Sequence, residues 1–188
     1  MARFTRAELE SYRGAEVPDL LGPDVRLLFV GINPGLWTAA TQTHFAHPVN
    51  RFYPALLRAG ILLEPIDAAA GMTDDDRAAV LARGIGITNL VRRATARADE
   101  LTVEELRAGR EELVATVERV RPRVVAIAGI TAYRSAFGVR RAVLGRQPEA
   151  LAGAELWVVP NPSGLNAHET IDSLAQAYAA PARAAGIL

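Results

Sequence analysis

Short, almost wholly apolar runs alternate along this chain with longer stretches whose apolar residues recur at helical spacing. VRLLFVG (25–31), IGITNLV (85–91), RVVAIAG (123–129) and the start of ELWVVPNPSG (155–164) are the apolar runs. Each is too short for a buried helix and lacks polar alternation, so each reads as a strand covered on both faces. TVEELRAGREELVATVERV (102–120) is the clearest helix, with Thr102 and Glu105 spaced as a capping box. TDDDRAAVLARG (73–84) has acids in its first turn and Gly84 as a stop. NRFYPALLRAGIL and ITAYRSAFG are also helix-like, and HETIDSLAQAYAAPARAAG is a closing helix with a late proline. TRAELESYRG (5–14) carries a second Thr-x-x-Glu box before LLGPD breaks the chain. The division is thus an N-terminal helical segment, 1–24, and one domain, 25–188.

Buried strands alternating with amphipathic helices specify a parallel sheet with helices on both faces. In such sheets the ligand crevice lies beyond the carboxyl ends of the strands. Three segments rich in Gly, Pro and Asn fall at those ends: GINPG, TNLVRRAT and PNPSGLN. No internal repeat or low-complexity segment interrupts the pattern. One domain therefore has one crevice with three loops around it, as its length of 188 residues allows.

Composition narrows the chemistry. The chain has no cysteine, which removes disulfides, thiolate zinc sites, iron–sulfur clusters and a cysteine nucleophile. All 21 basic residues are arginine, so no side-chain amine exists for a Schiff base or a phosphate-loop lysine. The opening is too charged for a signal peptide, and no apolar run approaches a membrane span. A soluble cytoplasmic protein of bacterial type, without a membrane partner, is the expectation. Formal net charge is zero, which by itself argues against a polyanionic partner. The distribution is less even: five arginines and no acid lie between Asp76 and Asp99, and seven and none between Glu118 and Glu149. Such windows are either solvated helix faces or an anion-binding face.

The loops supply the candidate groups. GINPG and GIGITN lack the third glycine of a dinucleotide fingerprint, and neither has a lysine, so a nucleotide cofactor is not expected. Asn33, in GINPG, is a poor acid or base but holds a donor and an acceptor in one plane. It either caps its own turn or orients a water or a planar amide. Phe45, in FAHPVNRFY, is either core or a stacking platform for a base. Leu165, on the glycine turn of NPSGLN, either tucks inward or serves as an apolar wedge that unstacks a duplex.

Taken in order, GINPGL, FAHPVNRF, GITNLV and NPSGLN resemble the mismatch-specific uracil-DNA and thymine-DNA glycosylases of the uracil-DNA glycosylase superfamily. The resemblance runs from about residue 25 to about residue 180. It implies an α/β three-layer sandwich around a central, mainly parallel four-stranded sheet. It also implies a monofunctional glycosylase that flips uracil out of DNA and hydrolyses its N-glycosidic bond, leaving an abasic site. By resemblance Asn33 orients the attacking water; Asp99 and Glu100, which follow the second strand closely enough to reach the crevice, read first as helix N-terminal acids before Thr102 and otherwise as a helper carboxylate. The base would be stacked by Phe45, read by Asn89, and enclosed by Gly31, Ile32, Asn161 and Ser163. Gly164, Leu165 and Asn166 would meet the DNA, Leu165 as the wedge. Bacterial relatives often follow NPSGL with Ser-Arg, the arginine bonding the widowed base; here Asn166 and Ala167 stand there, which predicts milder opposing-base preference. No metal or cofactor is implied. The expected partner is duplex DNA with a uracil mismatch, single-stranded DNA being within reach, met by a monomer acting at the nucleoid. A non-catalytic mismatch sensor and a free-nucleoside hydrolase are the competing readings.

Overall fold

Side chains of successive residues in the central strands point to opposite faces of one sheet, and both faces are dry. In the computed structural model, which describes residues 4–188, the expected runs form β1 (Leu27–Gly31), β2 (Ile85–Asn89), β3 (Val124–Ala128) and β5 (Glu155–Val159). Between β3 and β5 in sequence lies β4 (Gly145–Arg146), and the strand order is β2-β1-β3-β5-β4. The first four strands run parallel, while β4 pairs antiparallel with β5. The sheet thus has five strands rather than the four expected from sequence. Two residues, Gly and Arg, carry no hydrophobic alternation for a pattern to catch.

Leu27, Phe29, Ile85, Ile87, Val124 and Ala126 face α3 (Phe52–Arg58), α4 (Asp74–Ala82) and α7 (Ile171–Ala184), in a core with Phe52, Leu56, Val80, Leu174 and Tyr178. Leu28, Val30, Val125, Ile127, Leu156 and Val158 face α5 (Val103–Val120) and α6 (Ile130–Phe137) through Leu106, Leu113, Val117, Ala132 and Tyr133. This is the three-layer α/β sandwich expected. Each fully buried Leu, Ile or Phe contributes about 1.5–3 kcal/mol, so the two cores, not the loops, hold the strand ends in place.

The Thr102 capping box forms as read, Thr102 accepting from Glu105 N, and a further box forms where Thr73 accepts from Asp76 N. Thr5 does the same for Glu8 at the start of α1 (Arg6–Glu10). One helix escaped the pattern. α2 (Leu36–Thr41) follows Gly35, which has no side chain to cap it, and is too short to show a period.

Residues 14–20 run along the outer side of β2 and the loop after it. Leu20 N donates to Ile87 O and Ile87 N to Leu20 O, both at 2.9 Å. Gly14 N donates to Ala94 O at 2.9 Å and Ala94 N to Ala15 O at 2.8 Å. The N-terminal segment is therefore paired with the chain that leaves β2.

Candidate active site

Asn33 lies two residues past β1, at the carboxyl edge where neighbouring connections diverge to β2 and β3 on opposite sides. Its Nδ2 donates to Thr95 Oγ1 at 2.7 Å, to Arg93 O at 3.0 Å and to Pro34 O at 3.1 Å. Two of these partners are carbonyls, which only accept, so the amide can sit only one way round. Thr95 Oγ1 in turn donates to Arg97 O at 2.8 Å, which leaves its lone pairs toward Asn33. The amide nitrogen is saturated. Among the described residues no donor reaches Asn33 Oδ1, which is left as a fixed acceptor.

Beside it, Gly31 and Asn89 are register partners at the ends of β1 and β2. A Cβ on Gly31 would run into Asn89 Oδ1 and lie 3.2 Å from the Phe45 ring, so only glycine lets those two side chains meet there. Phe45 sits at φ 56°, in the left-handed region, and stacks on Phe52 at 4.1 Å between centroids. One ring face is thereby occupied while the side chain remains half-buried. Asn89 Nδ2 lies 3.1 Å from His44 Nδ1, and His44 Nε2 lies 3.0 Å from Pro18 O. His44 is buried, and burial pushes its pKa below that of an ordinary histidine, against the opposing pull of the Pro18 carbonyl. On the β3 side, Ile32 packs over Gly129, and a Cβ there would lie 3.2 Å from Ile32 Cδ1 and 3.9 Å from Asn161 Nδ2. Gly31, Ile32, Phe45, Asn89 and Asn161 therefore gather at one end of the sheet.

The NPSGLN loop is held as a unit. Asn161 Oδ1 accepts from Ser163 N at 2.9 Å, and Asn166 Nδ2 donates to Asn161 O at 3.0 Å. Gly164 lies so close to Val49 that a Cβ would fall 2.8 Å from Val49 O. Arg51 Nη2 donates to Ser163 O at 2.5 Å and to Asn166 O at 2.8 Å, while Nη1 reaches Glu169 O. Leu165 crowns this frame and is 89% exposed. A leucine so exposed on so braced a loop is not a core residue. Asn166, by contrast, has its amide nitrogen engaged inside the loop.

Asp99 and Glu100 occupy a short 3₁₀ turn, Ala98–Glu100. Asp99 is exposed and bonds both its oxygens to Arg97, at 2.5 and 3.1 Å. Glu100 pairs with Arg13 of the N-terminal segment. Among the described residues neither acid bonds a group of the Asn33 cluster; Asp99 stands two residues beyond the Arg97 carbonyl that ends it. The arginine windows divide as well. Arg93 pairs with Glu105 at 2.5 Å, and Arg83 donates to Ile61 O at 2.9 Å, both structural contacts. Among the described residues no hydrogen bond or ion pair engages the side chains of Arg119, Arg121, Arg140 or Arg141.

Sequence reasoning missed Thr95, His44 and Arg51. Thr95 closes the quoted TNLVRRAT segment and His44 precedes Phe45, so position next to a motif was the available signal. Arg51 stands inside FAHPVNRF, but its role was not legible there, because its bonds run to carbonyls more than a hundred residues away. No group of side chains able to hold a metal exists among the described residues, and no described helix is long and apolar enough to cross a membrane.

Comparison with known proteins covers the stretch of chain that holds these residues. The family model described as Uracil DNA glycosylase superfamily matches residues 18–181. The solution NMR structure of a candidate uracil DNA glycosylase from Methanosarcina acetivorans is similar over 92% of this chain and 98% of that one, with a TM-score of 0.63. At 18% identity that likeness is one of fold.

Proposed function

The chain belongs to the Uracil DNA glycosylase superfamily, whose members are DNA glycosylases, and on that premise we propose that it is a monofunctional hydrolase releasing uracil from DNA, of the mismatch-specific branch. The observation that carries this is the Asn33 amide, whose nitrogen is fully bonded and whose Oδ1 is a free, fixed acceptor. An acceptor so placed takes a hydrogen bond from a water and aims its lone pair. As the C1′–N1 bond breaks, its electron pair leaves with the base, the water oxygen bonds to C1′, and the proton the water gives up ends on the uracil anion, which leaves as neutral uracil. Cleavage through an oxocarbenium-like transition state asks little nucleophilic strength, so an oriented water suffices where no strong base stands.

In this reading Phe45 stacks the flipped base, Asn89 reads its edge, and Ile32, Asn161 and Ser163 close the pocket around it. Leu165 fills the stack that the nucleotide has left. Asp99 receives the secondary part of carrying off the proton, for which it must release Arg97. An unchanged single-turnover rate in Asp99→Asn would remove it from the reaction.

Incubation with a U·G duplex tests the proposal. The expected products are free uracil and an abasic strand that breaks only on alkali treatment. With no lysine in the chain, borohydride should trap no adduct through a side chain. Mismatch binding without base release would instead mark a sensor, and cleavage of free deoxyuridine but not of DNA a nucleoside hydrolase.

A further inference from the structure

Beside the pocket end of β2, in the segment between α2 and α3, stands a histidine that the reaction does not use. His44 is 4% exposed and bonds a carbonyl on one side and an amide on the other. Pro18 O only accepts, so the nitrogen 3.0 Å from it, Nε2, must carry the proton. In the neutral ring Nδ1 then has a lone pair, and the atom of Asn89 facing it at 3.1 Å must be the donor, Nδ2. Asn89 Oδ1 is thereby turned toward Gly31 and Phe45.

We propose that His44 is a positioning residue that sets base specificity by locking which end of the Asn89 amide faces the pocket. The inference rests on the reading of the site as a base pocket. With Oδ1 inward, Asn89 accepts from a ring N–H, and the second hydrogen of Nδ2 is free for the neighbouring carbonyl. Uracil and thymine present that pair at N3–H and O4. Cytosine presents the reverse, a bare N3 and an amino group, and meets acceptor with acceptor and donor with donor. A flipped Asn89 would favour cytosine, but it would set Oδ1 against the His44 lone pair. Burial favours the neutral ring; of the charged groups nearby, Asp19 opposes this and Arg77 assists it.

Two measurements test the assignment. Long-range nitrogen–proton spectra of the intact protein, which has three histidines, should show one neutral imidazole protonated on Nε2 and identified by its loss in His44→Gln. Finding that ring protonated on Nδ1 overturns the proposal whatever the activity. The second compares single-turnover release of uracil and of 5-fluorocytosine from the same duplex position. His44→Gln keeps a donor for Pro18 but offers no acceptor where Nδ1 stood, and should cut the uracil-over-cytosine ratio by about tenfold, the share of one hydrogen bond. His44→Asn, whose Oδ1 falls near the old Nδ1, should return the preference. An unchanged ratio in His44→Gln, or equal losses on both bases, overturns it, the latter being the mark of a merely structural histidine. Should the wild type release no base at all, the proposed function fails, while the tautomer still decides the amide's orientation.

Discussion

Asn33 has three acceptors on one nitrogen and none of its oxygen's capacity used, which makes its two halves separable by mutation. Asn33→Ala removes the oriented acceptor itself and should lower base release roughly a hundredfold or more, with DNA binding intact, if positioning a water is a major contribution. A rate within about twofold of wild type would move the chemistry elsewhere. Thr95→Val removes only one of the three brakes on the amide. A neutral hydrogen bond contributes about 1 kcal/mol, and the Arg93 and Pro34 carbonyls still fix the orientation, so the loss should be about three- to tenfold. Single-turnover rates for the two variants would rank them. A Thr95→Val loss as large as that of Asn33→Ala would mean that the hydroxyl touches the water directly.

Among the elements, the loop after β5 shows most plainly how packing prepares a function. Its turn is shaped by Asn161, Gly164 and Asn166 but held down by Arg51, at the N-terminus of α3. Flipping a nucleotide from a duplex costs a few kcal/mol of unstacking and unpairing, which a wedge offsets and a single strand never incurs. Leu165→Ala should therefore slow release from duplex substrates severalfold more than from single strands. Rates on U·G, U·A and single-stranded uracil check this, and equal impairment on all three would sink the wedge. With Ala167 where relatives carry an arginine, wild-type preference for U·G over U·A should be mild. The four long strands, the capped helices and all three loops were legible because apolar runs, Thr-x-x-Glu boxes and Gly/Pro clusters are local signals. Thr95, Arg51 and His44 were not, because their roles rest on carbonyls and amides brought near by the fold. Strand β4 and helix α2 were too short to have a period. Asn33 and Phe45 were legible as alternatives. The structure keeps both alternatives in view: the Asn33 amide bonds its own turn while leaving Oδ1 free, and the Phe45 ring packs on Phe52 while remaining half-buried.

For the whole molecule, zero net charge hides an uneven surface. Arg119 and Arg121 close α5 just before β3, at the sheet edge opposite the crevice. Arg140 and Arg141, between α6 and β4, lack partners among the described residues, and neutralising phosphates with such groups releases counterions. Duplex affinity should fall steeply between about 50 and 200 mM salt; a flat dependence would point to a nucleoside substrate. Stability should fall with acid in two stages. His44 is depressed from 6.5 by burial, so its neutral form is favoured by the fold, and stability is complete above pH 6.5 and declines as pH drops below it. Glu105 is held down to about 2, chiefly by its hydrogen bonds to Arg93, so its contribution is present above pH 4.5 and fades as pH falls toward 2. Urea midpoints measured against pH should show both slopes, the first shallower in His44→Gln and the second shallower in Glu105→Gln, since His47 and the carboxylates of Glu8, Glu10 and Asp172 are shifted in the same direction. The pairing of Leu20 with Ile87 has a consequence of a different kind. A parallel sheet ordinarily ends in a row of open amides and carbonyls that can recruit a strand from another molecule. Here β2 is covered by residues of the N-terminal segment, and the other margin is β4, two residues long with a charged arginine. Both margins are poor templates for strand addition. Copies of this protein brought close together are therefore poorly disposed to polymerise edge to edge.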